Sequence, residues 1–234
     1  MTSSEVDIRK SSRRRGSRLS SPRALRATTG VVMSPPPGVR LECLSEATLP
    51  GAHAVKLAFF AAGKTFCLVC PYGWDPESLE SFAKFYQRHP ETMRGTAVAI
   101  REDTGEVVGV IATGTHGQPR SPEDTEMHAT KPGECHVEWL AVAAAARGCG
   151  VGTKLLRWAR RHAEARNCAE LTLGVVNGNP AIRLYEREGF EAVPVDACDA
   201  ACGCFWSTLF IGCPNGRCGG FNMRMRLPQT RAEM

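Results

Sequence analysis

The sequence predicts a single α/β domain in which helices and strands are mixed, and three observations predict it. The chain has 234 residues, of which 43% are hydrophobic, which is enough for one packed core. Strand-like runs at 95–101 and 107–113 flank a turn that contains glycine, as in a hairpin. Residues 151–167 carry apolar side chains at helical spacing directly after a glycine-rich turn. No apolar run reaches the length of a membrane span.

The first half of the chain supplies a strand, two helices and the hairpin. We expect the strand at residues 39–44 and the helices at 53–62 and 76–88, around a loop that contains Pro71, Gly73 and Pro76. Residues 116–133 then read as a long polar loop.

The second half alternates strands and helices. Residues 135–142 and 170–176 are rich in β-branched and apolar side chains, which is typical of strands. Asn179 is a good N-cap followed by Pro180 at the first helical position, and Gly189 can end that helix. Residues 190–193 and 222–227 are expected as closing strands.

The formal net charge of +5 is concentrated in an N-terminal arm. Residues 1–38 hold eight basic and two acidic side chains, a net charge of +6, so the remainder carries about −1. This Ser/Arg/Pro-rich arm lacks interleaved aromatic residues, and we predict that it is disordered and that nucleic acid is not a partner. An organelle transit peptide is the alternative interpretation.

Eleven cysteines are many for this length. Because no secretory signal is visible, we expect reduced thiols and a cytoplasmic location. Cys67-x-x-Cys70 has no matching second pair, which favours packing over redox or zinc chemistry. Five cysteines lie between Cys198 and Cys218, within a cysteine-rich insertion at 196–220. That insertion could pack over a cleft of the domain, touch a membrane as a peripheral contact, or bind zinc, although its spacing lacks paired knuckles.

The turn before the helix at 151 is a candidate phosphate site. It contains Arg147-x-x-Gly150-x-Gly152, which fits neither a Walker loop nor a dinucleotide fingerprint. Amide N–H groups at a helix start lack intrahelical partners and carry the positive end of the helix dipole. The turn is therefore expected to bind a pyrophosphate.

This turn resembles the acyl-CoA pyrophosphate loop of the GNAT superfamily of N-acyltransferases. Glu138-Trp-Leu-Ala-Val142 is similar to that family's central strand, and residues 181–190 are similar to its second signature. The resemblance covers about residues 135–193, with a weaker similarity in element order from about residue 39. It implies a mixed, mostly antiparallel central sheet flanked by helices, in which two strands diverge and acyl-CoA enters the gap.

The resemblance also implies acetyl-CoA as the acyl-donor substrate and a set of residues that bind it. The backbone of Leu140, Ala141 and Val142 would hold the pantetheine arm as an added strand does, with the Val142 amide as a candidate oxyanion donor. Asn179 or Asn177 would contact the arm near the sulfur. The pyrophosphate would be held by Arg147, Gly148, Cys149, Gly150, Val151, Gly152 and Thr153.

Three residues are candidates for catalysis. Tyr185 matches the tyrosine that donates a proton to the departing CoA sulfur in many family members. Strand alternation places His136, Glu138, Leu140 and Val142 on one face, so two titratable groups share it. Glu138 is the preferred general base and His136 the alternative; no metal is expected at this site.

The predicted function is therefore N-acetyl transfer to a primary amine in a ternary complex. A protein N-terminus, a lysine side chain and a small amine all remain open as acceptors. A non-catalytic acyl-CoA-binding or membrane-adaptor module is the alternative.

Overall fold

The computed structural model describes residues 38–62, 77–121, 128–194 and 219–229. The N-terminal arm, the Cys67/Cys70 pair and the cysteine-rich insertion up to residue 218 lie outside the described residues. What the sequence predicts for these segments stays a prediction. None of the helices in the described ranges is long and apolar enough to cross a membrane.

Strands and helices follow one another in nearly the predicted order. The strands are β1 (Val39–Cys43), β2 (Thr96–Arg101), β3 (Val107–Thr115), β4 (Glu134–Val142), β5 (Glu170–Val176), β6 (Glu191–Ala192) and β7 (Gly220–Arg226). The helices are α1 (Leu49–Ala62), α2 (Leu79–Arg88), α3 (Pro90–Met93), α4 (Val151–Ala165) and α5 (Ile182–Arg187), with a 3-10 turn at Ala144–Ala146.

All seven strands belong to one sheet in the order β1-β2-β3-β4-β5-β7-β6. Only β4 and β5 run parallel; every other neighbouring pair is antiparallel. The predicted mixed, mostly antiparallel sheet is thereby confirmed. The parallel pair lies at the centre, where a crossover through α4 joins its two strands.

Each face of the sheet is covered by its own apolar core. On one face α4 buries Val151, Leu155, Leu156 and Ala159 against β2 to β5 and β7. On the other face α1 and α2 pack against β2, β3 and β4. Gly109 of β3 lets α4 approach closely, because an added Cβ would lie 2.8 Å from a Val151 methyl group. The start of α4 is therefore fixed relative to the sheet.

Four helical elements differ from the sequence expectation. α2 begins at Leu79 rather than at 76, because Ser78 is its N-cap, and α5 begins at Ile182 rather than at Pro180. α1 begins at Leu49 rather than at 53, since the Ser45–Thr48 turn accepts its first backbone hydrogen bonds and Leu49 is buried. The short α3 was not predicted; Pro90 near its start suits a first helical turn.

Candidate active site

A gap opens in the middle of the sheet where β4 and β5 separate. Their parallel pairing runs from Glu134 opposite Glu170 to Val137 opposite Leu173 and then stops. β5 continues to pair with β7 as far as Val176, while β4 continues to pair with β3 as far as Val142. The two strands that the resemblance expects to diverge therefore do so after Val137 and Leu173.

A β-bulge at Glu138 changes which side chains of β4 share a face. Thr113 lies opposite Val137 and Ala112 opposite Trp139, so Glu138 is the extra residue. Cys135 and Val137 face the α4 core, as do Leu140 and Val142 after the bulge. Trp139 and Ala141 face α1 and α2. The predicted alternation through the whole strand is wrong for this reason.

The backbone of β4 presents two residues to the gap. The Ala143 amide donates to the Val108 carbonyl, so residues 143, 141 and 139 form the hydrogen-bonded pairs with β3. The N–H and C=O groups of Leu140 and Val142 therefore point away from β3, into the gap. Ala141 uses its backbone groups for pairing with β3, so two of the three predicted residues can bind an extended ligand in this way.

The start of α4 presents a run of amide donors near the end of β4. Gly150 is the N-cap in a left-handed conformation, with φ 79°, and no side chain caps the helix. Within the described residues, none of the six amides from Gly148 to Thr153 donates a hydrogen bond. Gly148 and Gly150 both have open space around the Cα atom. This helix start can accommodate a multiply charged anion.

Arg147 and Gly152 shape the surroundings of that helix start. The Arg147 Nε donates to the Val142 carbonyl at 3.1 Å, and its guanidinium lies 5.7 Å from the Phe59 ring centre. An added Cβ on Gly152 would lie 3.0 Å from Leu184, so α5 packs directly on the first turn of α4. The exposed Cys149 thiol contacts only the Arg147 carbonyl among described residues.

The two candidate asparagines have different backbone roles. The Asn179 side chain accepts a hydrogen bond from the Ala181 amide at 2.9 Å in the turn before α5. The predicted N-cap at Asn179, with Pro180 as the first helical residue, is wrong, because α5 begins at Ile182 and its N-cap is Ala181. The Asn177 amide donates to the Gly219 carbonyl and joins the end of β5 to the start of β7. The bond to Ala181 occupies the Asn179 side-chain oxygen.

Tyr185 lies on α5 with its side chain largely buried. Its ring packs edge-on against Phe190, with centroids 6.1 Å apart. Burial raises the pKa of Tyr185 to about 12, because the phenolate loses solvation. The hydroxyl therefore stays protonated and can donate a hydrogen bond at physiological pH.

Glu138 forms a buried ion pair with Arg120 of the loop after β3. Their side chains are 9% and 7% exposed. The Arg120 guanidinium also donates to the His128 carbonyl. Gly114 leaves the space that the carboxylate occupies, since an added Cβ there would collide with it. The pair holds this loop against β4, and it occupies an oxygen of the preferred base.

His136 belongs to a buried polar chain on β4 and β5. Its Nδ1 lies 2.7 Å from the Thr172 hydroxyl, which donates to Glu134 at 2.5 Å. His128 stacks on the His136 ring and its Nε2 lies 2.7 Å from the same Glu134 oxygen. Burial, together with the charges of His128 and Arg120, lowers the pKa of His136 to about 3, although Glu134 opposes this shift. Hydrogen bonds from Thr172, Lys131 and His128 outweigh burial and lower the pKa of Glu134.

The chain belongs to the acetyltransferase (GNAT) family. Residues 62–190, more than half of the chain, match the model of that family. The match includes the gap between β4 and β5, the start of α4 and the position of Tyr185. A comparison with curated proteins gives no match.

Three solved structures illustrate the similarity in fold. A GCN5-related N-acetyltransferase from Kribbella flavida is 22% identical with a TM-score of 0.54, over 81% of this chain and 98% of that one. A ribosomal-protein-alanine N-acetyltransferase from Brucella melitensis is 22% identical with a TM-score of 0.53, over 80% and 99%. The protein yncA from Salmonella typhimurium, solved with its cofactor acetyl-CoA, is 15% identical with a TM-score of 0.55, over 84% and 98%.

Sequence reasoning missed four polar residues of this region. Arg120 and His128 lie in a loop whose pairing with β4 leaves no periodic signal. Glu134 and Thr172 are polar residues in or beside apolar strands. A buried polar side chain needs a hydrogen-bonding partner. A polar residue in or beside an apolar strand is therefore the one sequence signal that could have indicated this cluster.

Breaking the buried pair should destabilise the fold far more than breaking an exposed one. Arg120→Met removes the guanidinium that compensates the buried Glu138 carboxylate, so we expect the free energy of unfolding to fall by about 3–5 kcal/mol. Chemical denaturation measures this change.

The control is Arg40→Met, which breaks a pair whose side chains are 48% and 45% exposed. Here we expect a change of at most about 1 kcal/mol. An equal loss of unfolding free energy in Arg120→Met and Arg40→Met would contradict the conclusion that Arg120 and Glu138 form a buried ion pair.

Proposed function

We propose that this protein transfers an acetyl group from acetyl-CoA directly to a primary amine, within a ternary complex. The observation that carries the proposal is the run of unpaired amides at residues 148–153, next to the gap between β4 and β5. A pyrophosphate and an extended pantetheine arm need these two features side by side.

The donor is proposed to lie along β4 with its pyrophosphate at the start of α4. Hydrogen bonds from amides to a charged phosphate contribute about 1.5–3 kcal/mol each, so a few of them suffice for tight binding. The pantetheine amides would pair with the backbone of Leu140 and Val142, as an added strand does. The arm then takes over the Val142 carbonyl and releases Arg147 toward the phosphates.

In the chemical step the main task of the protein is to position the amine and the thioester, rather than to form a covalent intermediate. The amine nitrogen attacks the thioester carbonyl carbon, a C–N bond forms, and the C–S bond breaks with its electron pair on sulfur. The Val142 amide is the proposed donor to the oxyanion. A thiol has a pKa of about 8.5, below that of Tyr185. The Tyr185 hydroxyl therefore stabilises the departing thiolate as a hydrogen-bond donor.

The proton of the attacking amine must go to a base, and Glu138 and His136 are the proposed candidates. Both lie near the point where β4 leaves β5. The ion pair with Arg120 has to loosen before Glu138 can accept a proton, whereas His136 is neutral.

The acceptor is proposed to be a primary amine of a protein or a small molecule. The acceptor is identified by measuring the release of CoA thiol from acetyl-CoA. The assay uses a panel of small amines, polyamines and peptides with free N-termini or lysines. Turnover with any of them supports an enzyme. Tight acetyl-CoA binding without turnover on the whole panel would favour the non-catalytic binding module.

Substitution of Gly150 should abolish acetyl-CoA binding. Gly150→Glu places a carboxylate against the pyrophosphate, where bulk and like charge both oppose binding. Isothermal titration calorimetry with acetyl-CoA is the measurement, and we expect an affinity loss of at least about 100-fold, equivalent to about 2.7 kcal/mol.

The matched control is Gly105→Glu in the turn between β2 and β3. Gly105 has a φ of 71° and equally open surroundings, so the backbone strain of the substitution is the same. This variant should keep the parent affinity. Unchanged affinity in a folded Gly150→Glu variant would remove the donor site from the start of α4.

Removal of the Tyr185 hydroxyl should slow the reaction and leave donor binding intact. In Tyr185→Phe the ring still packs on Phe190, but the thiolate loses its donor. We expect kcat to fall by about 10²- to 10³-fold, the usual effect of removing one hydrogen-bond donor from a developing negative charge. The measurements are kcat and acetyl-CoA affinity on the acceptor that the panel identifies.

Tyr86→Phe serves as the control, because Tyr86 is a buried tyrosine whose hydroxyl lies 3.2 Å from Thr96, within the core under α2. Its kcat should match the parent. A Tyr185→Phe rate within about threefold of the parent, with chemistry rate-limiting, would show that Tyr185 only packs.

A further inference from the structure

We infer that His136 accepts the proton of the attacking amine at its Nε2 atom, and that Glu134 and Thr172 are positioning residues that fix the His136 tautomer. This inference rests on the proposed acetyl transfer. It selects one of the two candidate bases and adds residues from β4 and β5 to the site.

The argument starts from a continuous chain of short hydrogen bonds. His136 Nδ1 lies 2.7 Å from the Thr172 hydroxyl, and that hydroxyl lies 2.5 Å from Glu134 Oε1. The second Glu134 oxygen accepts from the Lys131 amide at 2.8 Å. All three side chains are nearly inaccessible to solvent.

The chemistry of these groups sets the direction of each hydrogen bond. An ionised carboxylate only accepts, so the single Thr172 hydroxyl hydrogen goes to Glu134. The Thr172 oxygen must then accept from His136, which places the imidazole hydrogen on Nδ1. In a neutral imidazole the other nitrogen carries the lone pair. His136 Nε2 is therefore left as a hydrogen-bond acceptor.

No described residue provides a hydrogen bond to His136 Nε2. At the same time, no buried side-chain nitrogen or oxygen in the described part of the chain lacks a partner. Nε2 is therefore not sealed in the core and can meet a ligand. This lone pair lies on the residue just before Val137, the last β4 residue that pairs with β5.

Glu138, the other candidate, is less available. Arg120 pairs with its carboxylate, both side chains are almost fully buried, and separating the pair is unfavourable because it leaves buried charge without compensation. His136 needs no such rearrangement.

A metal ion fits this cluster poorly, although His128, Glu134 and His136 place ligand atoms within 4.8 Å of one another. A metal ion lies close to the plane of each imidazole that binds it. The two rings are stacked with centroids 4.0 Å apart and planes 15° apart, so their lone pairs cannot meet at one ion. The cluster works as a hydrogen-bond chain.

The proton is transferred only after the C–N bond has begun to form. With a pKa of about 3, His136 is too weak a base for a free ammonium of pKa about 10, so the acceptor arrives neutral. Once the nitrogen has attacked the carbonyl carbon it carries positive charge, and it becomes strongly acidic as the C–S bond breaks and the amide forms. Its one excess proton then moves to Nε2, solvent supplies one proton to the thiolate, and the imidazolium returns one proton to solvent.

The groups around His136 lie on β4, on the loop after β3, on β5 and on β7. Glu134 on β4 favours the imidazolium, while Arg120 and His128 in the loop after β3 oppose it. Thr172 on β5 is uncharged, and Arg224 on β7 lies opposite Thr172 in the sheet. Among the charged groups of the described residues that act on His136, Glu134 alone stabilises the protonated state, which is the reason that its position matters for the rate.

The test compares Thr172→Val, which keeps the shape and removes the hydroxyl, with Thr172→Ser, which keeps the hydroxyl. Nitrogen-15 NMR of the imidazole reports the tautomer without any substrate. We expect a protonated Nδ1 and a bare Nε2 in the parent and in Thr172→Ser, and loss of that preference in Thr172→Val. A parent His136 protonated at Nε2 would overturn the inference.

Kinetics on the acceptor from the panel give the second readout. We expect His136→Gln to lower kcat by about 10²- to 10⁴-fold. Thr172→Val should lower it by about tenfold or more at unchanged acetyl-CoA affinity, and Thr172→Ser should restore it. A folded Thr172→Val with an altered tautomer and a parent-like kcat would show that His136 is not the base. If the parent enzyme acetylated no amine, the proposed function would fail, whereas the tautomer result would still stand by itself.

Discussion

The separation of β4 from β5 after Val137 and Leu173 is the constraint on which the rest of the site depends. Within a sheet every backbone N–H and C=O finds a partner, and leaving such groups buried and unpaired is costly. By separating, β4 exposes the backbone of Leu140 and Val142 in a gap that an extended ligand can enter. The bulge at Glu138 lies at the same place and turns the side chains of β4 to new faces. Close packing of α4 at Gly109 then sets the helix start beside the gap.

Charge is distributed unequally around this gap. At the α4 end the protein offers neutral amide donors and the positive end of a helix dipole, which suits an anion without burying a counter-ion. At the β4–β5 junction it buries charged and polar side chains, each with a partner: Arg120 with Glu138, and Glu134 with Thr172, Lys131 and His128. Removing one member of such a set leaves a buried polar or charged group with one partner fewer. The same pairing that makes the junction stable fixes the orientation of His136.

The sequence predicted the parts of this structure that local rules control. Hydrophobic periodicity located β5 and α4, and the glycines of the 147–152 turn predicted the amide-lined helix start, since few other residues adopt the left-handed backbone of Gly148 and Gly150. The bulge at Glu138 could not be predicted, because strict alternation is assumed until a register shift is seen. Arg120 and His128 reach β4 only through tertiary folding of a loop, so the ion pair with Glu138 and the polar chain at His136 left no pattern in the sequence. Asn179 was expected as the N-cap of α5, but the helix begins at Ile182 and its N-cap is Ala181; the Asn179 side chain instead bonds the Ala181 amide in the preceding turn.

The most direct test of the account is backbone amide NMR during titration with CoA. The account predicts that the largest shift changes fall on the amides of residues 148–153 and of Leu140 and Val142, and that pantetheine without phosphate perturbs only Leu140 and Val142. Large changes confined to other surfaces, such as the recess lined by Arg224 and Arg226, with residues 148–153 unaffected, would contradict it.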